Sequence, residues 1–215
     1  MTSFANLFIL LSHLPILITC IYAIRVYRKL EGELVFFAFF IFLTEIIQSI
    51  SLIHWIRHEN NLYLLHMYVP LGFICHSLFY NKLLSQYINQ KIIGFTLIVF
   101  VLFTVLNSLF YQPVTTFNSY AMTIESILLV ILSISTFLLL MNSIFQGKTN
   151  IKSVNWINSG IFIYYASSLI IFHFSDYLAT LSPSVFLKYT WVFHALLFDI
   201  MFIFFFLGLW KREQI

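Results

Sequence analysis

Long apolar runs recur through the sequence, and they constrain the fold more than any other feature. Seven segments are mostly apolar and about 20 residues long, which a helix needs to cross about 30 Å of hydrocarbon. They are residues 4–25, 34–54, 62–81, 92–111, 120–144, 154–174 and 185–209. The runs are continuous and do not alternate in ten-residue segments, as barrel strands do. We therefore predict an all-α fold: one membrane domain, residues 1–215, formed by a bundle of seven transmembrane helices.

Charged residues are too few to cover a water-exposed surface. The chain is 61% hydrophobic and 9% charged, whereas soluble domains are about half apolar and a quarter charged. Lipid must therefore surround most of the chain, so the bilayer is a predicted partner. The basic residues lie in short loops and form no stripe, which argues against nucleic-acid binding. Abundant Ile, Phe, Lys and Asn beside little Ala is typical of AT-rich bacterial genomes, and we expect a bacterial inner membrane.

The distribution of Lys and Arg predicts the orientation of the bundle. If the chain alternates between the two sides, Arg57 and Lys188 lie on one side. The opposite side holds nine basic residues: Arg25, Arg28, Lys29, Lys82, Lys91, Lys148, Lys152, Lys211 and Arg212. The basic side is the cytoplasmic one. The N-terminus is therefore predicted to be outside and the C-terminus cytoplasmic, with no cleaved leader because no basic residues precede the first run.

Ionisable residues inside the predicted spans are the first candidates for a functional site, since they are costly in hydrocarbon. Glu45 lies near the middle of the second helix, and Gln48 and Ser49 follow at i+3 and i+4 on the same face. Asp199 lies near the middle of the seventh helix. His194 precedes it by five residues, so the two can border one cavity without forming a tight pair.

The third helix carries a polar and aromatic seam. His66, Val69, Phe73, His76 and Tyr80 step by three and four residues, so this seam is predicted to face neighbouring helices.

Most of the polar residues fall in the half of each span that is predicted to be outside. This set is His13, His54, His66, Asn107, Glu125, His173 and His194, with Glu45 and Asp199 near mid-depth. The pattern indicates a polar cavity that opens outward, because ligands of helix bundles bind between helices. The predicted ligand-binding residues are Glu45, Gln48, His66, His76, Tyr165, His194 and Asp199; no catalytic or metal-binding residue is predicted.

Each of these residues also has a structural interpretation. Glu45 and Asp199 could serve only as protonated hydrogen-bond partners of a neighbouring helix. The histidines could pack or sit at the interface, and Tyr165 belongs to a tyrosine-rich segment that suits helix packing.

The polar residues of the predicted spans do not match the usual pattern of a cofactor site. A zinc site needs three converging ligands, and His194 is followed at i+4 by Phe198 where a second histidine would be expected. Haem could use two histidines on facing helices, such as His66 with His173 or His194. Neither haem nor zinc is excluded, but no cofactor is predicted. Retinal is excluded, since no span holds a mid-membrane lysine for a Schiff base.

The last two helices resemble small uncharacterised seven-helix membrane proteins of Bacteroidota that are regarded as sensory partners of histidine kinases. The resemblance rests on four segments: Trp156–Ser159, Tyr165–Phe172, Trp191–His194 and Gly208–Lys211. It implies a sensory role and assigns no catalytic residue. Where the family is expected to have Asn five residues after the histidine, this chain has Asp199.

We therefore predict a receptor-like sensory subunit, more a binding protein than an enzyme. Its outward-facing pocket would pass a signal to a separate signalling or complex partner. Three alternatives remain open: a small proton-coupled transporter that uses Glu45 and Asp199, an accessory subunit of a membrane complex, and an intramembrane metal or haem enzyme.

Overall fold

The computed structural model describes residues 4–141, 151–181 and 185–213, and this part of the chain is all-helical. Its α-helices are α1 (Phe4–Leu11), α2 (His13–Val26), α3 (Glu33–Ile56), α4 (Tyr63–Leu83), α5 (Gln90–Phe110), α6 (Ser119–Met141), α7 (Ile151–Leu181) and α8 (Val185–Glu213). A short 3-10 helix, Tyr27–Lys29, follows α2. The predicted all-α class is confirmed for these residues, and the described part of each predicted span is helical. Residues 142–144 of the fifth predicted span lie outside the described residues.

The first predicted span is interrupted, and the cause lies in the sequence. The helix breaks at Ser12 and restarts at His13. Pro15 has no N–H to donate to the carbonyl four residues earlier, so a continuous helix would lose a hydrogen bond there. Within the first turn of a new helix the same proline is tolerated.

Within the described residues, five helices are long and apolar enough to cross a membrane: Glu33–Ile56, Gln90–Phe110, Ser119–Met141, Ile151–Ser175 and Thr190–Arg212. Helix α5 has mainly exposed apolar residues, with Phe95 70% and Leu109 69% exposed. Such a surface is stable in lipid and unfavourable in water. These helices indicate a membrane protein. Helix α4 is less apolar because it contains His66, His76 and Asn81.

The chain divides into two compact units, residues 27–125 and residues 1–26 with 126–215, and each is described by itself. In unit 1–26 with 126–215, α8 packs against α7, α2 and α1. The hydroxyl of Thr19 on α2 donates to the carbonyl of Pro15 and lies 3.2 Å from the carbonyl of Phe202 on α8.

Small residues allow α7 and α8 to approach closely. A Cβ atom on Gly160 would lie 2.9 Å from Cβ of Phe204, and one on Gly208 would lie 2.7 Å from Cγ1 of Ile157. Close backbone approach at small residues is a common way for membrane helices to associate. Asn158 on α7 donates to the carbonyl of Ser133 on α6, and the Ser133 hydroxyl donates back to the carbonyl of Asn158.

In unit 27–125, α4 packs against α3 and α5. The predicted seam of α4 is buried: His66 is 8% exposed, and Val69, Phe73, His76 and Tyr80 are at most 1% exposed. The ring of Phe73 lies 4.3 Å from that of Phe100 on α5. The His76 ring lies 4.1 Å from that of Phe40 on α3. The prediction that this seam faces neighbouring helices is confirmed.

Candidate functional site

A buried group of amide side chains lies where α5 ends and α6 begins. We call Asn107, Gln112, Asn118 and Ser119 the amide cluster; all four are between 0% and 7% exposed. Asn107 Nδ2 donates to Gln112 Oε1 at 3.0 Å and to Asn118 Oδ1 at 2.9 Å. Gln112 Nε2 donates to Ser119 Oγ at 2.6 Å, and Gln112 Oε1 also accepts from the backbone N–H of Tyr120. The cluster thus ties the α5–α6 loop to both helices.

Two atoms of this cluster have unused hydrogen-bonding capacity. Asn107 Oδ1 and Asn118 Nδ2 are buried, and neither has a hydrogen-bond partner among the described residues. A buried polar atom without a partner costs about 1–3 kcal/mol, so a native protein usually satisfies it with water, an ion or a ligand. One atom accepts and the other donates. Their combination suits a small molecule that carries both a donor and an acceptor.

His66 on α4 lies next to the amide cluster, because it contacts two residues close in sequence to cluster members. Its Nδ1 lies 2.7 Å from Ser108 Oγ, and its Nε2 lies 3.1 Å from the carbonyl of Thr116. A carbonyl only accepts, so Nε2 carries the proton and donates. Ser108 Oγ is also 2.9 Å from the carbonyl of Thr104.

The Ser108 hydroxyl links two helices. Its oxygen lies within hydrogen-bond distance of His66 Nδ1 on α4 and of the carbonyl of Thr104 on α5. These contacts fix the position of the His66 ring beside the end of α5.

A second polar group lies at the same end of unit 27–125, on the loop between α3 and α4. His54 Nδ1 donates to Glu59 Oε2 at 2.6 Å, and Tyr63 Oη lies 2.9 Å from His54 Nε2. Asn60 Nδ2 donates to the carbonyl of Thr115 in the α5–α6 loop. The loop after α3 and the loop after α5 are therefore at the same end of this unit.

A buried carboxyl lies deeper along α6. Glu125 is 4% exposed, and its Oε1 lies 3.8 Å from the position that a Cβ on Gly72 would take. Nearby on α3 and α4, the Thr44 hydroxyl donates to the carbonyl of Phe40 and lies 3.1 Å from Tyr68 Oη. Because the one hydroxyl hydrogen of Thr44 is used in its own helix, Tyr68 donates to Thr44.

The predicted ligand-binding residues of unit 27–125 are distributed along its helices. Glu45 and Gln48 are half-buried, and Glu45 Oε1 accepts from Ser49 at 3.1 Å. His66 adjoins the amide cluster. His76 is about 15 Å further along α4 at 1.5 Å per residue, and its Nδ1 donates to the carbonyl of Gly72.

The other predicted residues lie in unit 1–26 with 126–215. His194 Nε2 is 2.9 Å from Tyr164 Oη, and its ring lies against those of Phe172 and Trp191. Tyr165 is 3% exposed. Asp199 is half-buried, and its Oδ1 is buried without a hydrogen-bond partner in the described part of the chain.

Sequence reasoning missed most of the amide cluster. It named Asn107 only as one of the polar residues of the outer half. Gln112, Asn118 and Ser119 lie in or beside a short loop, where polar residues are normally exposed. The sequence did contain a signal for this cluster, because the three amide residues Asn107, Gln112 and Asn118 lie in or beside one short connection between helices. The burial of the Gln112 and Asn118 side chains, in a loop whose other residues are mostly exposed, could not be read from the sequence.

Among the described residues, no group of three or more His, Cys, Asp or Glu side chains is arranged to hold a metal ion. The arrangement as a whole can donate and accept hydrogen bonds at one end of unit 27–125. No protein-family model matches this chain, and no curated protein or solved structure was found to be similar to it.

Proposed function

We propose that this chain is a seven-span receptor-like sensory subunit of a bacterial inner membrane, with its N-terminus outside and its C-terminus in the cytoplasm. The amide cluster and His66 would form the ligand-responsive end. The observation that carries the proposal is the buried pair of unused atoms, Asn107 Oδ1 and Asn118 Nδ2. An outside ligand with one donor and one acceptor would satisfy both atoms and remove their burial cost.

The proposed orientation places these groups toward the outside. The loop after α3 and the loop after α5 hold one basic residue, Arg57, and the hydrogen bond from Asn60 to Thr115 joins them. The opposite end of the same unit has Arg28, Lys29, Lys82 and Lys91. Under the positive-inside rule the amide cluster then faces out. Ligand binding would alter the packing of α4, α5 and α6, and a separate partner protein would read that change.

Topology is tested with single cysteines in a background that lacks Cys20 and Cys75. Arg57→Cys and Ser85→Cys change exposed residues at opposite ends of unit 27–125. A membrane-impermeant maleimide added to intact spheroplasts is expected to label Arg57→Cys. Ser85→Cys should be labelled only after the membrane is permeabilised. The reverse pattern would contradict the proposed orientation.

Ligand binding is tested by thermal unfolding of the detergent-purified protein with a panel of primary amides, amino acids and polyols. A ligand at about 100 times its Kd adds about 2.7 kcal/mol, which corresponds to a Tm increase of about 5–10 °C for a chain of this size. Asn118→Asp should abolish that increase. It retains Oδ1, which accepts from Asn107, but replaces the unused donor with an acceptor.

Asn155→Asp is the matched control, since Asn155 is exposed on α7, and it should respond like the parent protein. If no compound raises the Tm of cooperatively unfolding parent protein, the receptor proposal is wrong. An equal response in Asn118→Asp would remove the amide cluster as the binding site.

A further inference from the structure

An apolar groove runs along the surface of unit 27–125 between α3 and α4. Its volume is about 400 Å³, and its walls include Phe36, Phe39 and Leu43 from α3 with Leu71, Cys75 and Leu78 from α4. That volume is in the range of about 300–1,000 Å³ typical of ligand pockets. Phe39 and Leu71 are 48% and 40% exposed, so the groove is open to the surroundings of the protein.

The groove walls are continuous stripes along two helices. Phe36, Phe39 and Leu43 are spaced at i, i+3 and i+7 on α3, and Leu71, Cys75 and Leu78 are spaced at i, i+4 and i+7 on α4. Residues at these spacings share one helix face. Helix α3 is one of the five helices suited to cross a membrane, so hydrocarbon chains are the molecules that meet this face.

Basic residues lie at one end of the groove. Lys82 is exposed and follows Leu78 by four residues, so it continues the α4 stripe one helical turn further on. The Tyr27 ring lies 6.2 Å from that of Phe39 and 5.8 Å from that of Phe42. This contact holds the 3-10 helix beside the start of α3, and it brings the exposed Arg28 to the same end.

The net charge at this end of the unit is positive. Arg28, Lys29, Lys82 and Lys91 provide four positive charges, and Glu31 and Glu33 provide two negative ones, so 4 − 2 = +2. An apolar groove that ends in cations complements a molecule with a long hydrocarbon chain and an anionic head. Lysine and arginine are both common phosphate ligands.

We propose that this groove binds one acyl chain of an anionic glycerophospholipid, with the lipid phosphate held by Lys82 and Arg28. The site is independent of the amide cluster and of the proposed sensory function. In the proposed orientation it faces the cytoplasmic leaflet, which is the leaflet that carries the anionic surface potential. The bound lipid would fill the surface between α3 and α4.

Cys75 allows a direct test, because it lines the groove and Cys20 is the only other cysteine. Bimane is attached to Cys75 in a Cys20→Ser background, and the protein is placed in phosphatidylcholine vesicles. Equal small fractions of dibrominated phosphatidylglycerol or dibrominated phosphatidylcholine are then added as quenchers. Phosphatidylglycerol should quench the bimane at a lower lipid fraction than phosphatidylcholine. Each cation that contacts the lipid should contribute about a fivefold preference for phosphatidylglycerol, which is equivalent to about 1 kcal/mol.

Lys82→Gln and Arg28→Gln should each reduce that preference about fivefold. Lys91→Gln is the matched control: it removes a lysine from the same end but from α5, which does not line the groove. The preference of Lys91→Gln for phosphatidylglycerol should stay near that of the parent protein. An equal loss in Lys91→Gln would show a general attraction of anionic lipid and overturn the site.

Two further results would also overturn the proposal. Equal quenching by both lipids in the parent protein would mean that ordinary bilayer lipid fills the groove. No quenching by either would mean that protein, such as a second copy of the chain, covers it. Native mass spectrometry of unlabelled protein checks that the label is harmless: phosphatidylglycerol should remain bound more than phosphatidylcholine, and Lys82→Gln should reduce the difference.

Discussion

Replacing Gly208 with alanine is expected to lower the thermal stability of the protein more than any other single methyl addition in α7 or α8. The new Cβ would lie 2.7 Å from Ile157 Cγ1 and 3.1 Å from the backbone carbonyl oxygen of Ser153. A side chain can rotate away, but a backbone oxygen moves only with its helix. The two helices would have to separate, and overpacking of this kind costs about 1–3 kcal/mol.

Gly94→Ala is the matched control for Gly208→Ala. Gly94 lies within α5, and a Cβ there would meet nothing within 4 Å. Alanine is the better helix former by about 1 kcal/mol, so this variant should melt at or slightly above the parent temperature. The measurement is size-exclusion chromatography after heating in detergent. If Gly208→Ala proved as stable as Gly94→Ala, the close approach of α7 and α8 would be contradicted.

Asn107→Leu is expected to have the second-largest effect, by disrupting the amide cluster. The change removes the donor that serves Gln112 Oε1 and Asn118 Oδ1. Gln112 Oε1 still accepts from the N–H of Tyr120, whereas Asn118 Oδ1 loses its bond from Asn107. The expected cost is about 1–3 kcal/mol.

Hydrogen exchange can locate the effect of Asn107→Leu. Backbone amides of residues 112–122 should exchange faster in the variant, because the loop is no longer tied to α5. Asn155→Leu makes the same chemical change at an exposed position and should alter stability by no more than about 0.5 kcal/mol. Unchanged exchange in residues 112–122 of Asn107→Leu would rule out a structural role for this donor.

Much of the fold could be predicted because the membrane environment imposes simple rules. A helix satisfies its own backbone hydrogen bonds, so each long apolar run has one stable form in lipid. The seam of α4 could also be predicted, since spacings of three and four residues put His66, Phe73 and His76 on one face. The break at Ser12 is explained by Pro15, which cannot donate the hydrogen bond that a continuous helix would need there.

The candidate site was only partly predictable, because its members become neighbours through loop geometry. The sequence alone determined which residues form helices, which faces are apolar, and that Glu45, His66, His194 and Asp199 would be costly inside a membrane. The tertiary structure decided that Asn107 bonds to Asn118 and Gln112, and that His66 contacts Ser108 and Thr116. Helix periodicity follows from the local spacing of residues in the chain, whereas the burial of polar side chains such as Gln112 and Asn118 depends on which elements pack around them.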